Sequence, residues 1–262
     1  MAGLFDLDNV SWSRQSHSIL HQINWSLAEG EHWVLMGPNG CGKSSLLSIL
    51  CMEEWPTTGS LRLFGNEVRG NPVAPVKRRL GLFNPRQAEE LAHNYPSITA
   101  LDLLLFGLKG ALPYYTEVSE SERSNATSIL ARHPDLAIDP ETRVASMSSG
   151  ERRRIAFLKT VVHDPEILFL DEPYENLDIA ARLALEAMLW RQADVIRGSV
   201  TVVHRIEDIP PFITHAALMN KGEILRKGPA AEILTSENVT IVYGVPLEVR
   251  KSGASYFWKA AG

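Results

Sequence analysis

The sequence predicts an α/β fold with a mainly parallel central sheet, and three observations support that prediction. First, the apolar run His32–Met36 leads through a glycine-rich segment into a helical pattern. Second, Ile167–Leu170 and Ser199–Val203 are apolar without alternation, which is typical of strands buried on both faces. Third, helical patterns separate these runs. Strands that alternate with helices favour a parallel sheet.

The glycine-rich segment is the most informative local feature. It matches the pattern G-x-x-x-x-G-K-[ST] with Gly37, Pro38, Asn39, Gly40, Cys41, Gly42, Lys43 and Ser44. A strand that turns on glycines into a helix directs backbone N–H groups and the positive end of the helix dipole at one point. We expect Lys43 to reach the β- and γ-phosphates and the Ser44 hydroxyl to ligate Mg²⁺. A turn without a ligand is the alternative, but the flanking strand and helix favour a nucleoside triphosphate site.

Composition narrows the class of protein. The 262 residues are 45% hydrophobic, which allows one large domain or a core with a subdomain. A net charge of −5 argues against a nucleic-acid surface, so no nucleic acid partner is expected. No stretch approaches the roughly 20 apolar residues of a membrane span, and no secretory signal is visible. Cys41 and Cys51 do not make a disulfide framework, so we expect a reduced, cytosolic protein.

The rest of the chain divides into regions of different character. Residues 88–146 have helical periodicity, with helices expected at Ile98–Leu108 and Ser119–His133. Strands are expected elsewhere at Leu4–Leu7, Val10–Trp12, Ile19–Leu27, Ser60–Phe64 and Leu80–Phe83, and in a hairpin over Ala216–Leu225. The sequence therefore predicts a parallel core with an inserted helical subdomain.

Two acidic residues follow the buried run Ile167–Leu170. The C-terminal ends of parallel strands share one edge with a phosphate loop, so Asp171 and Glu172 should lie near it. Asp171 can then reach the magnesium shell, and Glu172 can face the water in line with the γ-phosphate. Solvated acids often end strands, but an apolar strand that ends in Asp-Glu-Pro after a phosphate loop favours the functional interpretation.

Two further features are weak alone and stronger in this order along the chain. Ser149 and Gly150 precede a helix expected to begin near Arg152, and a helix N-terminus is an anion site. Ordinary capping chemistry is the alternative there. His204 follows a buried strand, and its ring could contact a γ-phosphate or the attacking water.

Together these motifs resemble the ATP-binding subunits of ABC (ATP-binding cassette) systems, over roughly residues 4–235. The segment 37–44 is similar to the Walker A loop and Ile167–Asp171 to Walker B. Glu172 resembles the catalytic glutamate and His204 the switch histidine. The signature motif corresponds to Ser148, Ser149, Gly150 and Glu151, and the D-loop to Glu175, Asn176, Leu177 and Asp178.

The resemblance implies a P-loop NTPase with a RecA-like parallel core, an N-terminal antiparallel β-subdomain and the helical insertion. The implied ABC ATPase domain is 1–235, with its core at 1–87 and 147–235 and its helical subdomain at about 88–146. Residues 236–262 are expected to form an extension that packs on the core, including Tyr256–Trp258.

The sequence departs from the family pattern at several places. Met147–Glu151 stands where the family usually has Leu-Ser-Gly-Gly-Gln, yet contacts from Ser148 and Gly150 to a γ-phosphate remain expected. The residue that stacks on adenine corresponds to Arg14, or to Trp12 on the same strand face. Gln87 is expected to be the glutamine that ligates the metal.

The resemblance also implies a mechanism with ATP and Mg²⁺ as cofactors. In a head-to-tail homodimer, Lys43, Ser44 and Ser45 of one subunit would cradle each ATP, and Ser148 and Gly150 of the other would cover it. Lys43, Glu172 and His204 would be the catalytic residues. A thiol at Cys41, near a helix N-terminus, should gain thiolate character if it is accessible. We therefore expect alkylation of Cys41 to block nucleotide binding.

The implied partner is an integral membrane permease, with this chain peripheral on the cytoplasmic face of the inner membrane. The segments Ile98–Asp102 and His204–Pro210 resemble bacterial importer-type ATPases, with molybdate or iron-complex systems nearest. A soluble ABC ATPase in repair, translation or stress response is the first alternative. A phosphotransferase on the same fold is the second.

Overall fold

The computed structural model describes residues 3–110, 112 and 115–260 of the chain. The other residues of the predicted ranges (1, 2, 111, 113, 114, 261 and 262) lie outside the described residues. The strands are β1 (Phe5–Arg14), β2 (His17–Leu27), β3 (His32–Met36), β4 (Thr58–Leu63), β5 (Asn66–Glu67), β6 (Leu80–Phe83), β7 (Ile167–Asp171), β8 (Gly198–Val203), β9 (His215–Asn220), β10 (Glu223–Pro229), β11 (Leu247–Ser252) and β12 (Ser255–Ala260). The α-helices are α1 (Lys43–Leu50), α2 (Ala74–Lys77), α3 (Pro85–Asn94), α4 (Ala100–Lys109), α5 (Glu120–Ala131), α6 (Ser149–Val161), α7 (Ile179–Ala193), α8 (Ala230–Ile233) and α9 (Ser236–Tyr243).

The central sheet has the strand order β10-β9-β3-β8-β7-β6. Its strands are parallel except for the edge strand β10, which pairs antiparallel with β9. Every residue of β8 is buried, as expected for a strand covered on both faces. Met36 pairs with Val203 and Asp171 with Val202, so the C-terminal ends of β3, β7 and β8 meet at one edge.

A second, antiparallel sheet has the order β2-β1-β4-β5. Its buried residues pack with those of α1 in one hydrophobic cluster. The two strands expected between Leu4 and Trp12 are one strand, β1. The strand has a bulge at Asn9, whose φ is 50°. The Asn9 N–H donates to the side-chain oxygen of Asn24, so pairing with β2 continues past the bulge.

The helical region consists of α3, α4 and α5; α3 and α4 pack against α6, and α5 packs against α4. Capping boxes at the N-caps Thr99 and Ser119 fix the starts of α4 at Ala100 and α5 at Glu120, two residues and one residue from the predicted starts. Helices α4 and α6 approach closely at Gly107, where a Cβ would lie 2.3 Å from the carbonyl oxygen of Lys159. The limits 88–146 for a separate subdomain stay a prediction.

The C-terminal segment folds as α9 followed by the hairpin β11–β12. Val239, Val242 and Tyr256 are buried in a cluster with residues of β3 and β9, so part of this segment packs on the central sheet. Phe257 and Trp258 are about half exposed, so of Tyr256–Trp258, expected to pack on the core, only Tyr256 is buried there. Successive strand residues alternate faces, so Phe257 lies on the face opposite Tyr256. Trp258 lies on the same face as Tyr256 and is half exposed nevertheless.

Candidate functional site

The phosphate loop lies between the end of β3 and the start of α1, as the sequence predicts. Gly42 has φ of 108°, a left-handed conformation that glycine adopts without strain. At Gly37 a Cβ would lie 2.0 Å from the carbonyl oxygen of Met219, so the loop fits against β9 only with glycine. No side chain of the described residues caps α1, which leaves its first N–H groups for a ligand.

Lys43 is folded back against this loop. Its Nζ donates to the carbonyl oxygens of Gly37 at 2.8 Å and Pro38 at 3.0 Å. The side chain is buried, and that burial lowers the pKa of Lys43. A cation held here only by neutral carbonyls is well placed to exchange them for phosphate oxygens.

Ser44 and Asp171 face each other across the sheet edge. The Ser44 hydroxyl donates to Oδ1 of Asp171 at 3.4 Å, although the two residues are far apart in the chain. Burial, together with the neighbouring Glu172 carboxylate, raises the pKa of Asp171 to about 6. A part-buried acid whose charged form is disfavoured, beside a hydroxyl, is an arrangement that a divalent cation would stabilise.

Glu172 lies directly beyond β7, where its φ of 52° turns the chain away from the strand. Its Oε1 lies 2.5 Å from Nε2 of His204, which follows β8. Its Oε2 is buried and has no hydrogen-bond partner within the described part of the chain. One carboxylate oxygen is therefore held by the histidine and the other is left for a substrate or a water.

An open cleft of about 480 Å³, called here the phosphate cleft, brings eight of the predicted residues together. Its lining comprises Ile19, Asn39, Gly40, Gly42, Lys43, Ser44, Ser45, Arg86, Glu172 and His204. A neighbouring cleft of about 440 Å³ shares three of these residues, Asn39, Glu172 and His204, and extends along residues 173–177. Cations, N–H donors and a carboxylate pair thus surround a space suited to a polyphosphate.

The segment predicted as the signature motif lies outside both clefts. Ser148 is the N-cap of α6, which begins at Ser149 rather than near Arg152. The Glu151 carboxylate accepts hydrogen bonds from the Ser148 N–H at 2.8 Å and from its hydroxyl at 2.7 Å. These hydrogen bonds lower the pKa of Glu151 and keep it ionised. Ser148 and Ser149 are exposed, so this helix end is open to solvent.

Comparison with known proteins agrees with this geometry. The family model described as ABC transporter matches residues 20–175. An uncharacterized ABC transporter ATP-binding protein, YlmA of Bacillus subtilis (strain 168), is 32% identical over 94% of this chain and 93% of its own length. The chain belongs to the ABC transporter ATP-binding family. The predicted family and its class of activity, ATP binding and hydrolysis, are thereby confirmed.

One further relative and one solved structure are informative. The molybdate/tungstate import ATP-binding protein WtpC of Pyrococcus horikoshii is 30% identical over 82% of this chain and 59% of its own length. A solved ATP-binding cassette, a dimer in a post-hydrolysis state with ADP and Pi, superposes with a TM-score of 0.68. It is 23% identical and covers 86% of this chain and 98% of its own, which confirms the predicted fold.

The ABC family member departs from its sequence-based expectations at Cys41. The thiol is buried, so the accessibility on which the expected thiolate character depended is not met, and burial raises the pKa of Cys41. The side chain turns inward, since a Cβ on Gly37 would lie 2.9 Å from its Sγ. The Lys43 charge and the backbone N–H groups of Lys43 and Cys41 lower this pKa, but desolvation of the thiolate outweighs them.

The predicted metal ligand Gln87 also lies elsewhere. It is the third residue of α3 and lines a small cleft with Lys159 and Thr160 instead of the phosphate cleft. The Asn84 side chain caps α3, and Pro85 begins the helix directly after β6. That turn places Arg86, which sequence reasoning missed, at the phosphate cleft.

The two candidates for adenine stacking differ in exposure. Trp12 is 6% exposed and packs in the core of the antiparallel sheet, so it has no free face for a base. Arg14 is exposed at the β1–β2 turn and is not among the residues that line the phosphate cleft. Ile19 does line the cleft, and its place in an alternating strand was the available signal. Arg14 stays a prediction.

No helix in the described residues is both long and apolar enough to cross a membrane.

Proposed function

We propose that this ABC ATPase hydrolyses ATP at composite sites in a head-to-tail homodimer and powers solute import through a membrane-embedded partner. The observation that carries the proposal is the meeting of three separate segments at one cleft. Lys43 and Ser44 come from α1, Asp171 and Glu172 from the end of β7, and His204 from the end of β8.

The oxygens of Ser44 and Asp171 fit a Mg²⁺ ion. A hydroxyl and a carboxylate are hard oxygen donors, and here they lie 3.4 Å apart beside the phosphate loop. When bound, Mg²⁺ would neutralise charge on the phosphate oxygens. In the proposal Ser44 and Asp171 hold the ion; Gln87 lines a different cleft in this structure, and its role as a ligand stays a prediction.

The hydrolytic step follows from the two oxygens of Glu172. His204 fixes the carboxylate through Oε1, which leaves the buried Oε2 to accept a hydrogen bond, and then the proton, from the attacking water. The N–H groups at the start of α1 and the Lys43 ammonium bind the phosphates. They offset the negative charge that moves onto the leaving oxygen.

The homodimer is supported by the position of Ser148–Glu151. These residues form an exposed helix end that lines neither cleft of their own chain. A two-fold arrangement would bring the same surface of a second copy over each ATP. In the proposal Ser148, Ser149 and Gly150 contact the γ-phosphate in trans, with Glu151 fixing the loop. The related cassette solved with ADP and Pi is a dimer.

The membrane partner is proposed from the family. The relatives named as import ATP-binding proteins include the molybdate/tungstate protein WtpC and the sulfate/thiosulfate protein CysA. We infer that this chain works on the cytoplasmic face of a bacterial membrane, bound to a permease for an oxyanion or a metal complex. Co-purification from detergent with an integral membrane protein, identified by mass spectrometry, tests this inference.

The Glu172→Gln variant tests the hydrolytic mechanism. It should bind ATP, lose turnover by about 100-fold or more, and accumulate as an ATP-dependent dimer seen by light scattering. The Glu90→Gln variant changes an exposed residue of α3 and should behave as wild type. Turnover at the wild-type rate in Glu172→Gln would remove this carboxylate from the mechanism.

A further inference from the structure

Arg86 is the one cation at the phosphate cleft, among the described residues, that has no assigned role. It is the second residue of α3, and its N–H donates to the Asn84 side chain at 3.0 Å, so its backbone is fixed. Its side chain is 69% exposed. The structure therefore fixes the backbone of Arg86, while its exposed guanidinium can move.

The guanidinium lies among carboxylates. Its Nη2 is 3.6 Å from Oε2 of Glu175 and 4.0 Å from Oε2 of Glu172. Both distances exceed that of a charge-assisted hydrogen bond, which is usually below 3 Å. Arg86 thus shields these carboxylates without being locked to either of them.

The charges at the phosphate cleft point to a second partner for Arg86. Glu172 lines this cleft with the cations Lys43 and Arg86, and Asp171 lies beside it at Ser44. A triphosphate adds several more negative charges. Lys43 is buried and bonded to the loop, whereas Arg86 is exposed and reaches the same space.

We propose that Arg86 binds the terminal phosphate of ATP, in the same chain as the phosphate loop, and in doing so leaves Oε2 of Glu172 to the attacking water. The proposal rests on the proposed function and adds a cation that distinguishes ATP from ADP. Arginine suits this role because its planar fork can bind phosphate oxygens through two N–H groups at once.

Equilibrium binding of a non-hydrolysable ATP analogue and of ADP tests the proposal in the full-length chain. Arg86→Gln should weaken binding of the ATP analogue about tenfold and that of ADP less than about twofold, because ADP lacks the terminal phosphate. Arg86→Lys should fall between wild type and Arg86→Gln, since a point charge replaces the fork. Arg123→Gln, an exposed change on α5, should alter neither affinity.

The outcomes separate the two proposals. Equal weakening for both nucleotides, or unchanged affinities, in Arg86→Gln would overturn the role of Arg86 while wild type still binds ATP. If wild type binds neither nucleotide, the proposed function fails as well. Thermal unfolding of each variant checks that it is folded. If Arg86→Gln does not fold, Arg86→Lys provides the same comparison between the affinity for the ATP analogue and the affinity for ADP.

Discussion

Two helix N-termini in this chain differ in how their first N–H groups are satisfied. Helix α1 begins after a glycine in a left-handed conformation, and no side chain of the described residues bonds to its first N–H groups. Helix α6 begins with a complete capping box between Ser148 and Glu151. A helix end without a cap needs a ligand, whereas a capped end is satisfied until one arrives. The difference separates a site made by one chain from a surface that, in the proposed homodimer, covers the ATP of a second copy.

The carboxylates beside these two helix N-termini also differ, in the direction in which their pKa values are shifted. Burial raises the pKa of Asp171, near α1, to about 6. Hydrogen bonds from the hydroxyl and N–H of Ser148 lower the pKa of Glu151, at α6. The acid near α1 is destabilised in its charged form and gains from a cation, whereas the acid at α6 is already stabilised.

The largest effect is expected at α1. Lys43→Ala should weaken ATP binding about 1,000-fold, or about 4 kcal/mol, because it removes charge-assisted bonds to phosphate in a buried site. Titration calorimetry of wild type, Lys43→Ala and the exposed control Lys77→Ala measures it. Near-wild-type affinity in Lys43→Ala would mean that the uncapped helix end is not the nucleotide site.

The matching change at α6 should separate binding from turnover. Ser149→Asp places a carboxylate at the exposed first turn, which favours the helix but repels a partner's phosphate. We expect ATP affinity of the isolated subunit within about twofold of wild type and turnover lower by about 100-fold, or about 2.7 kcal/mol.

Ser149→Ala is the control for this change and should lose far less activity, because it adds no charge. Wild-type turnover in Ser149→Asp would show that α6 never meets a nucleotide. A loss of ATP binding in the isolated subunit would show instead that α6 serves its own chain.

The contrast also explains what the sequence could predict. The phosphate loop and the pair Asp171 and Glu172 depend on local pattern and on the edge shared by parallel strands, and both lie where expected. The burial of Cys41 was not predicted, because β9, from far along the chain, packs closely against the loop at Gly37. No local pattern contains that contact.

The position of Gln87 away from the phosphate cleft has a related cause. Spacing along the chain gave the residue, but the cap at Asn84 and the start of α3 at Pro85 set which side chain faces the cleft. One helical residue corresponds to a rotation of about 100°, so a shift by a single position exchanges Gln87 for Arg86. The side-chain direction at a loop-to-helix junction is fixed by capping geometry that a motif does not encode.

A pH experiment sharpens the comparison of the two acids. Since the pKa of Asp171 is raised in the fold, the folded state holds this proton more tightly than the unfolded state does. Ionisation therefore costs stability as the pH rises through the interval between the two values. Asp171→Asn should stabilise the nucleotide-free protein by about 2 kcal/mol at about pH 8, and by less at about pH 4.5.

Urea unfolding at the two pH values measures this gain, with Asp8→Asn, an exposed change on β1, as control. A gain of equal size at both pH values would trace the effect to packing rather than to the charge. No gain at about pH 8 would mean that the acid near α1 is not destabilised, and the contrast with Glu151 would fail.

The smallest effect is expected from the cap of α6. Ser148→Ala removes the hydroxyl that accepts from the Glu151 N–H and should lower the free energy of unfolding by about 1 kcal/mol. Glu151→Gln should lower the free energy of unfolding by only a few tenths of a kcal/mol, because glutamine also completes a capping box. Both are measured without nucleotide, where a cap contributes and a ligand does not. If Ser148→Ala unfolds at the same urea concentration as wild type, the two helix ends do not differ in the way described, since α6 would then be as dependent on a ligand as α1.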